Sequence, residues 1–158
     1  MIGIQDRIAD IPEMAKNPRN DPYGRFNFLL EIDGETRAGF SEVGGLTTET
    51  SVIEYREGSD RTTSVRKLPG LSKYSNITLK RGITKDRSLW DWRKTVIDGA
   101  TRRVDGSIIL LDESRQEVVR WNFRSGWPCK WEGPALNAKS SEVAIETVEI
   151  AHEGFDLA

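Results

Sequence analysis

Gly39 to Gly82 reads GFSEVGGLTTETSVIEYREGSDRTTSVRKLPGLSKYSNITLKRG, a polar, threonine-rich run of strand-forming residues between glycine and proline stops. Side chains alternate across an extended strand. In TTETSVIEYRE (47–57), one face therefore carries Thr48, Thr50, Val52, Glu54 and Arg56, and the other Thr47, Glu49, Ser51, Ile53, Tyr55 and Glu57. Neither set is a core face. A strand polar on both sides gains little by burial in its own domain, and it leaves backbone donors and acceptors open to another chain. Two readings follow. In one, the stretch is a surface hairpin with solvated charges. In the other, it is an arm (about 46–68) to a neighbouring subunit or ring, with Glu49, Glu54, Tyr55, Arg56, Glu57, Asp60, Arg61, Arg66 and Lys67 at the interface. Alternating sign suits register between identical copies, since a repeated subunit must present both halves of every pair.

Outward from this stretch the chain patterns mainly as strands. Phe26, Phe28, Leu30 and Ile32 share one face and lead into Asp33-Gly34, a half-buried strand followed by a hairpin signal. Strand patterning returns at about 36–43, 47–57 and 74–81. It returns again near 104–111 and 116–124, joined by the turn-like Asp112-Glu113-Ser114-Arg115, and finally at 142–152. One segment breaks the pattern. Leu89, Trp92 and Val96 fall at helical spacing with Trp90 and Ile97 beside them, after the capping candidates Thr84, Asp86 and Ser88 and before Gly99, which predicts one amphipathic helix over about 86–98. Residues 1–22 carry Ile4, Ile8 and Ile11 but end in Pro18, Asn20 and Pro22, a mobile or helical lead-in before a folded body at 23–158.

The 158 residues make about one domain, with 37% hydrophobic residues, 30% charged residues, and 23 Lys plus Arg against 25 Asp plus Glu. So balanced a charge argues against an obligate nucleic-acid binder, and the basic pairs Lys80-Arg81 and Arg102-Arg103 lack the interleaved aromatics of a phosphate track. Cys129 is the lone cysteine and has no internal disulfide partner. No signal-peptide pattern opens the chain, which predicts synthesis in the cytoplasm, and no apolar run approaches the ~20 residues of a membrane span.

Chemistry finds little purchase. His152 is the only histidine, which excludes multi-histidine metal sites, and it reads as the end of a strand. Cys129 has a neighbouring lysine but no CxxC partner or identified base. Asp86, Asp91, Glu142, Glu146 and Glu149 sit where solvated helix and strand faces put carboxylates, and no phosphate-binding loop is present. The expectation is no enzyme, no catalytic residue, no metal and no cofactor. Five tryptophans raise a rival reading as a carbohydrate-binding β module. Trp92 and Trp121 read as core, whereas Trp127 and Trp131 read as members of a proline-bearing loop open to an interface or a ligand.

Several runs carry a resemblance. They are Asp21-Pro22-Tyr23, Gly39-Phe40-Ser41-Glu42-Val43, Glu54-Tyr55-Arg56-Glu57-Gly58, Arg66-Lys67-Leu68-Pro69-Gly70-Leu71 and Asn76-Ile77-Thr78-Leu79-Lys80-Arg81-Gly82. Leu89-Trp90-Asp91-Trp92, Trp127-Pro128, Gly133-Pro134, Leu136-Asn137-Ala138, Glu142-Val143-Ala144-Ile145-Glu146 and His152-Glu153-Gly154 follow in order. From about residue 21 to the end, the chain resembles the inner tube proteins of contractile phage tails and contractile injection systems, related to haemolysin-coregulated protein. The resemblance implies a mainly β fold, a small β-barrel or sandwich with one peripheral α-helix, in a ring-forming tail-tube fold. It further implies stacked hexameric rings of the chain itself whose lumen conducts effector protein or DNA to a target cell. Sheath protein, baseplate and tube-initiator proteins, a tube terminator and a tape-measure protein are the implied partners. The implied residence is a phage tail or an extracellular or cell-associated injection particle. The extension before Asp21 is longer than a minimal tube subunit needs, which admits a tube initiator or baseplate adaptor as the alternative.

Overall fold

The computed structural model describes residues 22–24, 27–37, 39–59, 61 and 63–158. Nearly all of the lead-in, together with Phe26 and Asp60, lies outside the described residues. The described chain is mainly β with one helix. In order it forms β1 (Phe28–Ile32), β2 (Glu35–Arg37), β3 (Phe40–Gly44), β4 (Thr48–Tyr55), β5 (Arg66–Tyr74) and β6 (Ile77–Gly82). Then follow α1 (Ser88–Ile97), β7 (Val104–Leu111), β8 (Glu117–Glu132), β9 (Ile145–Ala151) and β10 (Phe155–Leu157).

The turn between β1 and β2 matches its sequence signal. Asp33 and Gly34 hold φ of 52° and 77°. Left-handed backbone at both central residues is what a two-residue turn of this hand requires. The strand expected at 36–43 is instead two. Gly39, at φ 90°, separates β2 from β3, and these two end at opposite ends of the sheet order β2-β1-β7-β8-β9-β6-β3. Likewise the strand expected at 74–81 divides between β5, paired only with β4, and β6 in the body.

β8 organises the body. Its first half pairs with β7 and β10, and its second half with β9. The switch comes at Ser125, whose φ is 53°, where the register with β7 also slips. Such a bulge bends a strand. Trp127 and Trp131, expected in a loop, therefore lie inside β8, opposite Ala151 and Val148. Pro128 does not end the strand because it sits at a second bulge, between Pro128 and Lys130, where the ladder is interrupted in any case.

The two halves meet over one core. Leu30, Ile32, Ile108 and Phe123 come from one half, Ile77, Leu79, Val148 and Ile150 from the other, and Leu89 and Trp92 from α1. Burying each such side chain contributes roughly 1.5–3 kcal/mol. With β2 and β3 as its ends, the sheet is not closed into a barrel. A groove of about 720 Å³, lined by Phe28, Val43, Leu46, Ile108, Leu110 and Trp121, lies between β3 and the face of β1, β7 and β8.

Just before α1, Asp86 Oδ1 accepts the Ser88 backbone N–H at 2.9 Å, and just after it Gly99 turns the chain at φ 80°. Trp92 Nε1 donates to the Arg102 carbonyl at 2.8 Å, and Trp90 meets Trp131 edge-on with ring centroids 4.9 Å apart. Ile97, expected beside the apolar stripe, is exposed.

Candidate assembly surface

β4 and β5 form a two-stranded sheet of their own, and every residue of β4 is exposed. Directly opposite residues of an antiparallel pair project to the same side. The register Glu49↔Lys73, Ile53↔Leu68 and Tyr55↔Arg66 therefore builds one face, and Thr50↔Ser72, Val52↔Pro69 and Glu54↔Lys67 build the other. On the first face Ile53, Leu68 and Tyr55 are 51%, 44% and 45% exposed, an aliphatic and aromatic cluster held out in solvent. Lys73 Nζ lies 3.9 Å from Glu49 Oε2, and Tyr55 Oη donates to Glu57 Oε1 at 3.3 Å. On the second face the Thr50 and Ser72 hydroxyls bond at 2.8 Å.

Of the residues singled out from sequence, the structure sets Glu54 against Lys67 and Tyr55 against Arg66. Arg56, Glu57 and Arg61 lie exposed beyond the end of β4. Sequence reasoning missed Leu68, Lys73 and Leu71, the last of these 86% exposed. Their strand went unread because β5 sets two residues, Gly70 and Leu71, opposite Ser51, and that bulge breaks the two-residue alternation. Pro69 is tolerated since both strands of a ribbon are edges.

The family model for T4-like virus tail tube protein gp19 matches residues 24–156. The chain belongs to this tail tube family. Among solved structures, a chain of an extracellular contractile injection system, from the PVC sheath-tube complex in the extended state, is similar with a TM-score of 0.81 and 23% identity, covering 91% of this chain and 96% of that one. A chain from the anti-feeding prophage tube terminating cap gives 0.79 and 24%, covering 87% and 91%. Hcp1 from Flavobacterium johnsoniae gives 0.53 and 17%, covering 84% and 95%. At such identities the likeness is one of fold. A comparison with curated protein sequences finds no match.

Several polar side chains of this tail tube family member pair within the fold. Glu146, expected on a solvated face, is buried: it pairs with Arg81, and its Oε2 accepts from Trp131 Nε1 at 3.1 Å. Arg81 reaches on to Asp86 Oδ2 at 3.0 Å. The Ser88 backbone N–H, with its hydroxyl and the Arg81 guanidinium adding to it, holds the Asp86 carboxyl below the usual carboxylate range. Arg102 pairs with Asp33, so each basic dipeptide has an acidic partner. Burial, helped by the charge of Glu149, pushes the Cys129 thiol up, away from the reactive thiolate. The Trp127 and Trp131 rings belong to a paired strand and not to the expected loop. Among the described residues no helix is long and apolar enough to cross a membrane.

Proposed function

We propose that this chain is the repeating inner tube subunit of a contractile phage tail or phage-like injection apparatus, closing into hexameric rings that stack into a hollow tube. Family membership supports the tube role. The arm carries the assembly reading: a ribbon exposed along all of β4, with Ile53, Leu68 and Tyr55 on one face, leaves apolar surface and strand edges for another copy to cover. Such an arm and the body it leaves behind are unlike surfaces, and unlike surfaces join head to tail, which closes into a ring when the rotation permits.

In this reading Glu49, Glu54, Tyr55, Arg56, Glu57, Asp60, Arg61, Arg66 and Lys67 take part in contacts between subunits or rings. Sheath, terminator and baseplate proteins contact the assembled tube, a tape-measure protein occupies the lumen during growth, and effector protein or DNA passes along it. The chain makes and breaks no bond in the cargo. Negative-stain electron microscopy with light scattering on the same sample tests this. Six-fold rings or hollow tubes are expected. A monomer at every salt and protein concentration that also fails to polymerise on added baseplates would refute it. Growth only from added baseplates would keep the tube reading and make the chain a subunit that polymerises only from a baseplate.

A further inference from the structure

The arm leaves the body at a narrow root. Ser75 N–H donates to the Thr47 carbonyl at 3.0 Å, and Gly45, at φ 88°, approaches so closely that a Cβ there would stand 2.0 Å from the Asn76 carbonyl oxygen. Leu46 packs against the core, and Asn76 Nδ2 donates to Glu149 Oε1 at 2.8 Å. The remaining grip comes from the turn after β9. His152 Nδ1 accepts the Gly154 backbone N–H at 3.1 Å, so the ring proton resides on Nε2, which lies 2.8 Å from the Ser75 carbonyl and donates to it.

The same ring faces Tyr74, the last residue of the arm, with centroids 6.1 Å apart. Phe155 meets Tyr74 edge-on at 5.2 Å, and Phe123 lies 6.2 Å from the imidazole. Gly154 makes room for this contact: at φ 140°, a Cβ there would stand 3.1 Å from Tyr74 Cε2 and 2.7 Å from Arg124 Nη2. Two consecutive residues at the base of the arm are thus held by one four-residue turn.

We propose that His152 is the positioning residue that sets the direction of the arm, a clamp that presents it to the next copy already oriented. This rests on the reading of the arm as an assembly element. Eight residues of strand extend about 26 Å, so about 10° of play at the root moves the tip by roughly 4–5 Å. Removing that play before docking reduces the ordering cost of each subunit addition.

The test uses the full-length chain. Two-bond proton–nitrogen NMR on the unaltered protein is expected to report the Nε2–H tautomer; an Nδ1–H imidazole would overturn the clamp without any variant. His152→Phe keeps an aromatic ring in the cluster and removes both hydrogen bonds, whereas His152→Gln restores a donor for Ser75. Hydrogen exchange at Ser75 and in β4 and β5 is expected to quicken about tenfold in H152F, with β6 and β9 unchanged and H152Q close to the parent. Tube elongation is expected to slow by a similar factor. A folded H152F with parental exchange at the root would overturn the proposal. Faster exchange with unchanged elongation would leave the clamp standing and remove the arm from assembly.

Discussion

Arg81 on β6 and Glu146 on β9 are register partners whose side chains meet inside the protein, Nε 2.5 Å from Oε1, with only 6% and 7% of those side chains exposed. The same strand carries Ile77 and Leu79 into the core on the same face. The charge is tolerated there because Glu146, Asp86 and the Phe40 ring, 5.9 Å from the guanidinium carbon, surround it. Replacing Arg81 alone leaves the buried Glu146 carboxylate with the Trp131 indole N–H as its hydrogen-bond donor. R81M is therefore expected to lose on the order of 3–5 kcal/mol in urea unfolding, and R81M/E146L to recover most of it.

Asp86 makes stability depend on pH. Its carboxyl is lowered in the folded state by the Ser88 N–H, with Arg81 adding to it, so the contribution is present above the unfolded carboxylate's pKa of about 3.9 and fades as pH falls through the lower folded value. Asn keeps an oxygen for the Ser88 N–H but no charge. Thermal melts of D86N and the parent are expected to differ near neutral pH and to converge in strong acid.

Charge reversal in the arm separates assembly from folding. E54K/R56E/R66E changes exposed side chains, so subunit stability is expected to move by no more than about 0.5 kcal/mol while ring stacking is lost. Unchanged stacks under the microscope would show that these residues do not lie at the interface.

Leu68→Asp addresses the aliphatic face in the same way. Leu68 is 44% exposed opposite Ile53, so the free subunit keeps its fold. Sedimentation is expected to find monomers at concentrations where the parent forms tubes.

Gly45→Ala tests the root from the other side. With φ at 88° and a backbone oxygen in the way, any Cβ forces the chain to shift. A loss of at least about 1–3 kcal/mol is expected in unfolding measurements, with faster exchange at Ser75.

Much of this was legible because it is local. The Asp33-Gly34 turn, the helix with Leu89 and Trp92 inward, and the alternation that buries Leu30 and Ile32 each depend on residues a few positions apart. The polarity of 47–57 on both faces was equally plain, and β4 is exposed throughout. Less legible was β5, whose bulge at Gly70 and Leu71 erases the period of two and hides that the arm runs on past residue 68 to Lys73 and Tyr74. The role of His152 was hidden for another reason: its partner, the Ser75 carbonyl, is a backbone atom and has no signature in the sequence.

By itself the sequence determined the element types, the family, and the presence of a polar ribbon unsuited to its own core, since propensity and alternation act over neighbouring residues. Only the tertiary structure decided that 36–43 splits between opposite ends of the sheet, that β8 runs on through Pro128, and that Arg81 turns inward to Glu146. Each of these depends on which distant segment supplies the hydrogen bonds or the counter-charge. For Arg81 that partner stands 65 residues away, beyond the reach of any local pattern.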